Sequence, residues 1–267
     1  FDMDHYMFVQ VVGKKRFYLS PPSNGDSMYM FPRAHPLWHK SKVNFYSPDY
    51  EKFPNYRPYQ MVAELEEGDI LSVPPMWWHH VESLTSSVSI STMSHEYDIY
   101  SLMEGAYNCE YLFEKLASWD GKVYVLRLFV DMLIHEVVGY KATQGFIRRI
   151  LSTRYAGIEW YWKEKWDHNR TKLCSLPEAN GNIPTSEHVY ATTRQDAIMA
   201  ANQFEFIVPE TRDVLLMNFI EEVILYSLEV DKTVQFLTDC FQENQTYFVT
   251  EPSSPLHKLW EYEVIVE

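Results

Sequence analysis

The chain has 267 residues and is 46% hydrophobic, enough for one large domain or two modest ones around a substantial core. Its 37 acidic residues outnumber 23 basic ones, for a net charge of −14, and no basic run exceeds Lys14-Lys15-Arg16, so direct binding to nucleic-acid phosphates is not expected. Three cysteines, Cys109, Cys174 and Cys240, are odd in number, widely spaced and fit no zinc pattern, which reads as ordinary buried thiols in an intracellular, reducing compartment.

In chain order, the first 97 residues read as short strands: Asp2 to Val12, Arg16 to Ser20, Met61 to Leu65, Ile70 to Val73, His79 to Ser83 and Val88 to Met93. Gly13, Pro21-Pro22, Gly68-Asp69 and Pro74-Pro75 punctuate them, and strands so spaced suggest a barrel or sandwich. Between the second and third runs, Pro21 to Tyr59 holds seven prolines and five tyrosines, which marks an ordered excursion or lid rather than a plain connector.

From about Tyr97 the period becomes helical. Helices are expected at Ile99 to Ser118, Lys122 to Val138, Thr143 to Tyr155, Arg194 to Asn202, Glu210 to Leu228 and Lys232 to Phe241. The second is apolar almost all round, with a narrow polar stripe of Arg127, Asp131 and His135, so it reads as a buried helix and not a membrane span. Trp160, Trp162 and Trp166 cluster with Lys163 and Lys165, either as an amphipathic helix or as a contact surface. The triplets starting at Asn169 and Asn244 match the glycosylation sequon and carry little weight alone.

Three blocks carry the chemistry: Gln10-Val-Val-Gly-Lys-Lys-Arg-Phe-Tyr-Leu-Ser-Pro-Pro-Ser23, Ser47-Pro-Asp-Tyr-Glu-Lys-Phe-Pro54, and the run Glu67 to Leu84 containing Met76-Trp-Trp-His-His-Val-Glu82. In this order and spacing they resemble the cupin-like JmjC oxygenases, the group containing the asparaginyl hydroxylase that inhibits hypoxia-inducible factor and the tRNA wybutosine hydroxylase. The resemblance covers residues 1 to about 97. It implies an α+β protein: a double-stranded β-helix (jelly roll) over 1–97, followed by a large α-helical region over 98–267, with more chain upstream of Phe1.

The same resemblance implies Fe(II) and 2-oxoglutarate as cofactors, since two imidazoles and one carboxylate suit Fe(II) and leave open positions. It puts the metal-binding carboxylate on Asp2 and the later imidazole on His79, first of the His79-His80 pair, with another His expected one place ahead of Phe1. Lys15 would bind the distal carboxylate of 2-oxoglutarate through a charge-assisted hydrogen bond, with Lys14 and Arg16 facing away. Tyr6 stands where relatives often carry Asn, and Ser91 and Met93 where a polar contact and an aromatic wall usually sit; Tyr6 and Ser91 are the further co-substrate candidates. His5, His35, His39 and His95 are additional imidazoles near the barrel or its long loop, with Pro36 arguing against a helical pair at 35 and 39.

The expected function is an Fe(II)- and 2-oxoglutarate-dependent hydroxylase of a protein or other macromolecule. The alternatives are a catalytically inactive family member serving as a structural subunit of a larger assembly and, ranked last, a cupin holding another metal such as zinc. The helical region is expected to mediate a homodimer or to dock on a protein partner.

Overall fold

The computed structural model describes residues 1–94, 99–157, 173–174, 187–230 and 232–241. Six strands come first: β1 His5–Val12, β2 Lys15–Ser20, β3 Met61–Leu65, β4 Ile70–Val73, β5 Trp78–Ser83 and β6 Val88–Ser94. They pair antiparallel in two sheets, ordered β4-β1-β6 and β3-β2-β5. The chain passes between the sheets at Gly13, which has a φ of +73° and whose missing Cβ would lie 2.2 Å from the Ser86 carbonyl oxygen, so no other residue fits the turn. Alternation then sets the interior. Tyr6, Phe8, Phe17, Leu19, Leu65 and Val73 meet between the sheets, with Phe8 and Phe17 at 5.2 Å. This is the jelly-roll arrangement expected of a cupin-like fold.

The excursion after β2 is ordered. Met28, Tyr29, Met30, Val43, Phe53 and Tyr56 are buried, and Met30 bridges Ser41. Its apolar side chains pack not into the barrel but against the helices that follow: α1 Ile99–Tyr107, α2 Trp119–Val138, α3 Thr143–Arg154, α4 Glu187–Asn202, α5 Pro209–Leu228 and α6 Lys232–Cys240. Helix α2 starts where the Ser118 hydroxyl accepts from the Gly121 N–H (3.3 Å) and stops at Gly139, whose φ is +122°. Pro209 opens α5 at a position where its missing N–H costs nothing. The single helix expected over Ile99 to Ser118 is in fact α1 followed by a 3-10 turn at Leu112–Lys115. The break is held by Asp196 of α4, which accepts the Leu112 N–H (2.8 Å), and by the Tyr111 hydroxyl donating to the Ala106 carbonyl (2.6 Å). The polar stripe of α2 is largely buried; Arg127 is buried, and desolvation raises the Asp131 carboxyl above its ordinary range.

One core runs through the excursion, the helices and the edge of the barrel, taking in Phe1, Met76 and Trp78. Buried charges fasten it. Arg154, with no exposed surface, pairs with Glu221 and donates to the Val214 carbonyl (3.0 Å). Arg33 in the excursion reaches the same helix, its N–H on Glu221 (3.1 Å) and its guanidinium on Glu222 (2.7 Å), and lies over the Trp38 ring at 4.2 Å. Trp38 in turn meets Phe1, and Phe1 meets Trp78 at 4.8 Å.

The cysteine expectation needs correction. Cys174 and Cys240 form a disulfide across 66 residues, and only Cys109 is free. Pairing at that separation depends on where folding brings α6, which no local spacing announces, and cysteine usage therefore no longer argues for a reducing compartment. Among the described residues no helix is long and apolar enough to cross a membrane. His95, the Trp160 to Trp166 cluster and the two sequons lie outside the described residues.

Candidate active site

Asp2 precedes β1 and His79 is the second residue of β5. The β2–β5 register pairs His79 with Leu19 and thereby turns it inward, while Phe1 against Trp78 draws the start of the chain onto the same strand. A backbone bond completes the alignment: Met76, buried and in the left-handed region at φ 63°, donates its N–H to the Asp2 carbonyl at 2.8 Å. The Asp2 carboxylate oxygen Oδ2 then stands 3.4 Å from His79 Nε2. His79 Nδ1 lies 3.1 Å from the Trp77 carbonyl, which can only accept, so Nδ1 carries the proton and the Nε2 lone pair points at Asp2. Burial lowers the His79 pKa, which favours the neutral ring, against an opposing pull from Asp2. Two acceptors therefore face each other across a gap that a cation would close.

His80 has a different environment. Its partner across the sheet is Tyr18, on the outer face, where the ring stacks on Phe45 at 4.1 Å and Nε2 lies 3.1 Å from the Tyr46 hydroxyl. Deeper in the barrel, Lys15 points inward and its Nζ donates to the Ser89 hydroxyl. Lys14 and Arg16 point elsewhere, to Glu66 (2.5 Å) and Glu64 (2.6 Å). Tyr6 lies opposite Met93, with its hydroxyl 3.8 Å from the sulfur, and Ser91 lies opposite Phe8 on the same inward face. Burial, helped by Asp2 and Asp4, raises the Tyr6 phenol above its ordinary range. Met93 remains 51% exposed although it points between the sheets, because β6 is an edge strand and the barrel is open beside it.

The family model for the cupin-like domain matches residues 1–96. Residues 1–96 are a cupin-like domain of the JmjC type. The sequence is 40% identical over 91 residues to the lysine-specific demethylase JMJ30 of Arabidopsis thaliana, covering 34% of this chain and 21% of that protein. It is 30% identical over 82 residues to JmjC domain-containing protein C of Dictyostelium discoideum, covering 30% and 20% of the two chains. It is 40% identical over 88 residues to human HSPB1-associated protein 1, covering 31% and 18%. The chain thus spans about a fifth of the length of the curated relatives it matches.

Within the cupin-like domain, one carboxylate and one neutral imidazole 3.4 Å apart fit two neighbouring ligand positions of a divalent iron. The Trp77 carbonyl is the outer partner that fixes the ring. Among the described residues no group of three His, Cys, Asp or Glu converges at this or any other point. The remaining described imidazoles of the cupin-like domain have other surroundings. His5 faces outward on Ser72 (2.6 Å), His35 stacks on Phe31 at 4.2 Å, and His39 sits beside Trp38, its pKa lowered by burial. Two participants escaped the sequence reading. Ser89 shares its strand face with Ser91, and that parity was the available signal; Met76 acts through its backbone, which leaves no signal at all.

Proposed function

We propose that the cupin-like domain is an Fe(II)- and 2-oxoglutarate-dependent hydroxylase of a protein or other macromolecular substrate, with Asp2 and His79 as metal ligands and Lys15 as the co-substrate anchor. The single observation that supports it is the facing pair of lone pairs on Asp2 Oδ2 and His79 Nε2, held 3.4 Å apart with no proton to share. When bound, iron would supply oxygen activation coupled to decarboxylation of 2-oxoglutarate. The chain's own residues would do the rest. Trp77 holds the His79 ring, the Met76 N–H holds the Asp2 backbone, and Lys15 would leave Ser89 to meet the distal carboxylate. Tyr6 and Met93, 3.8 Å apart, would border the co-substrate.

A second reading, an inactive structural subunit, is favoured by one fact: Lys15 and Tyr6 already have internal partners in Ser89 and Met93. Anaerobic iron titration of the purified protein separates the two. The hydroxylase reading expects about one iron per chain, lost in Asp2→Ala and in His79→Ala and retained in His80→Ala. Equal loss at His79 and His80, or no iron in the parent protein, removes it. We further propose that the helical region mediates association. Sedimentation that finds an iron-binding dimer favours the enzyme, and a chain stable only with partners favours the subunit.

A further inference from the structure

Gln10 shares the inward face of β1 with Tyr6 and Phe8 and has no exposed surface. The two ends of its carboxamide have different fates. Nε2 donates to the Val12 carbonyl (2.6 Å) and the Gly13 carbonyl (3.1 Å), at the corner where the chain leaves one sheet for the other. Oε1 is shielded from water and has no donor among the described residues. Both carbonyls of the corner can only accept, so they fix which end of the amide is nitrogen and leave the oxygen as the orphan. An acceptor stranded in a dry interior is costly, and a glutamine at such a place calls for a donor that reaches it in another state of the site.

Strand register names that donor. Gln10 stands directly across the β1–β6 pair from Ser89 on the same inward face, an arrangement that puts Cβ atoms about 5 Å apart. The Ser89 hydroxyl is the acceptor of Lys15 Nζ. An ammonium carries three N–H donors, and Ser89 takes one of them. The corner bears on Lys15 as well, since β2 opens at that residue. On its outer side the corner is fastened by the Gly13 N–H on Glu67 (2.9 Å) and the Lys14 N–H on Thr85 Oγ1 (2.9 Å), and Gln10 is the fastening from within. A slip of one residue there would turn Lys15 outward and bring Lys14 or Arg16 into the barrel.

From this geometry we infer that Gln10 is a positioning residue for Lys15: its Nε2 end fixes the corner that aims the lysine inward, and its Oε1 end receives an ammonium N–H when Lys15 turns from Ser89 toward the distal carboxylate of 2-oxoglutarate. The step with the co-substrate rests on the hydroxylase reading above, whereas the coupling of Gln10 to Lys15 does not. An uncharged acceptor suits the place, because it holds the cation without cancelling the charge that a carboxylate ligand needs.

Two variants of the full 267-residue chain test the assignment. Gln10→Met keeps the length and removes both polar ends, and Gln10→Glu keeps an acceptor and adds a charge. The first readout uses no cofactor: acetylation of Lys15 by limiting acetic anhydride, measured by peptide mass spectrometry against the exposed Lys40. Labelling should rise about threefold or more in Gln10→Met, which has lost the holder of the cation, and fall about threefold or more in Gln10→Glu, where an ion pair holds it. A glutamine that only packs the corner would move both variants in the same direction. The second readout is calorimetric affinity for 2-oxoglutarate in the anaerobic iron-loaded protein. Gln10→Met should weaken it about fivefold and Gln10→Glu about thirtyfold or more, the latter because the new carboxylate competes for Lys15. The gap between Gln10→Glu and the parent should close as the pH is lowered and the new carboxyl takes up its proton. Labelling that changes alike in both variants, or not at all, overturns the inference. So does Gln10→Glu binding as tightly as the parent at every pH while Lys15→Ala loses the co-substrate. A parent that binds no 2-oxoglutarate removes the hydroxylase reading and leaves the labelling to decide on Gln10. Where Gln10→Glu fails to fold, the urea midpoints of Gln10→Met, Lys15→Met and their double variant decide in its place: losses that fall short of additive are expected of coupled neighbours, and additive losses overturn the inference.

Discussion

Replacing Arg154 by alanine should be among the most damaging single changes in the helical region. The side chain has no exposed surface, and Glu221 keeps only 2% of its own. Removing the guanidinium takes the charge partner from Glu221 and the donor from the Val214 carbonyl, leaving the Arg33 N–H at 3.1 Å as a surviving bond to that carboxylate. Breaking a buried pair from one side costs about 3–5 kcal/mol. For a chain of this size each kcal/mol moves the melting temperature by roughly 2–4 °C, so the loss should be about 6–20 °C. The matched control removes both charges: Arg154→Met with Glu221→Leu no longer strands an ion and should lie within about 2 kcal/mol of the parent. Urea unfolding followed by near-ultraviolet circular dichroism gives all three stabilities. An alanine variant that loses under about 1 kcal/mol, or a double variant no better than the single one, refutes the reasoning.

In the barrel, Lys15→Ala should weaken 2-oxoglutarate binding by roughly 2–5 kcal/mol, read by calorimetry; unchanged affinity would move the role to Tyr6 or Arg16. Ser89→Ala should leave that affinity equal or improved, because it frees the Lys15 ammonium in advance, and a loss would make Ser89 a direct contact. Cys174→Ser opens a covalent loop of 66 residues, for which chain entropy gives about 4 kcal/mol, and an unchanged urea midpoint under oxidising conditions would show that the bond does not form in solution. His39, His79 and His135 all have pKa values lowered by burial, so the unfolded chain binds more protons than the folded one below the ordinary histidine value near 6.5. Stability should accordingly fall as the pH drops through that value, and His135→Gln should flatten the slope; a slope unchanged by that substitution would leave the burial argument without support.

The strands were legible because alternation and Gly or Pro punctuation are local. His79 was preferred to His80 on the family resemblance alone, and the register sets His79 opposite the inward Leu19 and His80 opposite the outward Tyr18. What could not be read depends on contacts remote in sequence. Lys15 meets Ser89 across 74 positions, Tyr6 meets Met93 across 87, and Cys174 meets Cys240 across 66.

The contacts that run from Glu221 and Glu222 through Arg33 and Trp38 to Phe1 and Trp78 have a consequence for genetics. Trp78 is the residue before His79, so the inward aim of that imidazole is inherited from helix α5 as much as from its own strand. Alleles that abolish function would then scatter along α3, α5 and the excursion as readily as around Asp2. Their distance from the proposed metal ligands would be a poor guide to their severity, and a loss-of-function map drawn on the cupin-like domain alone would leave half of its cause off the page.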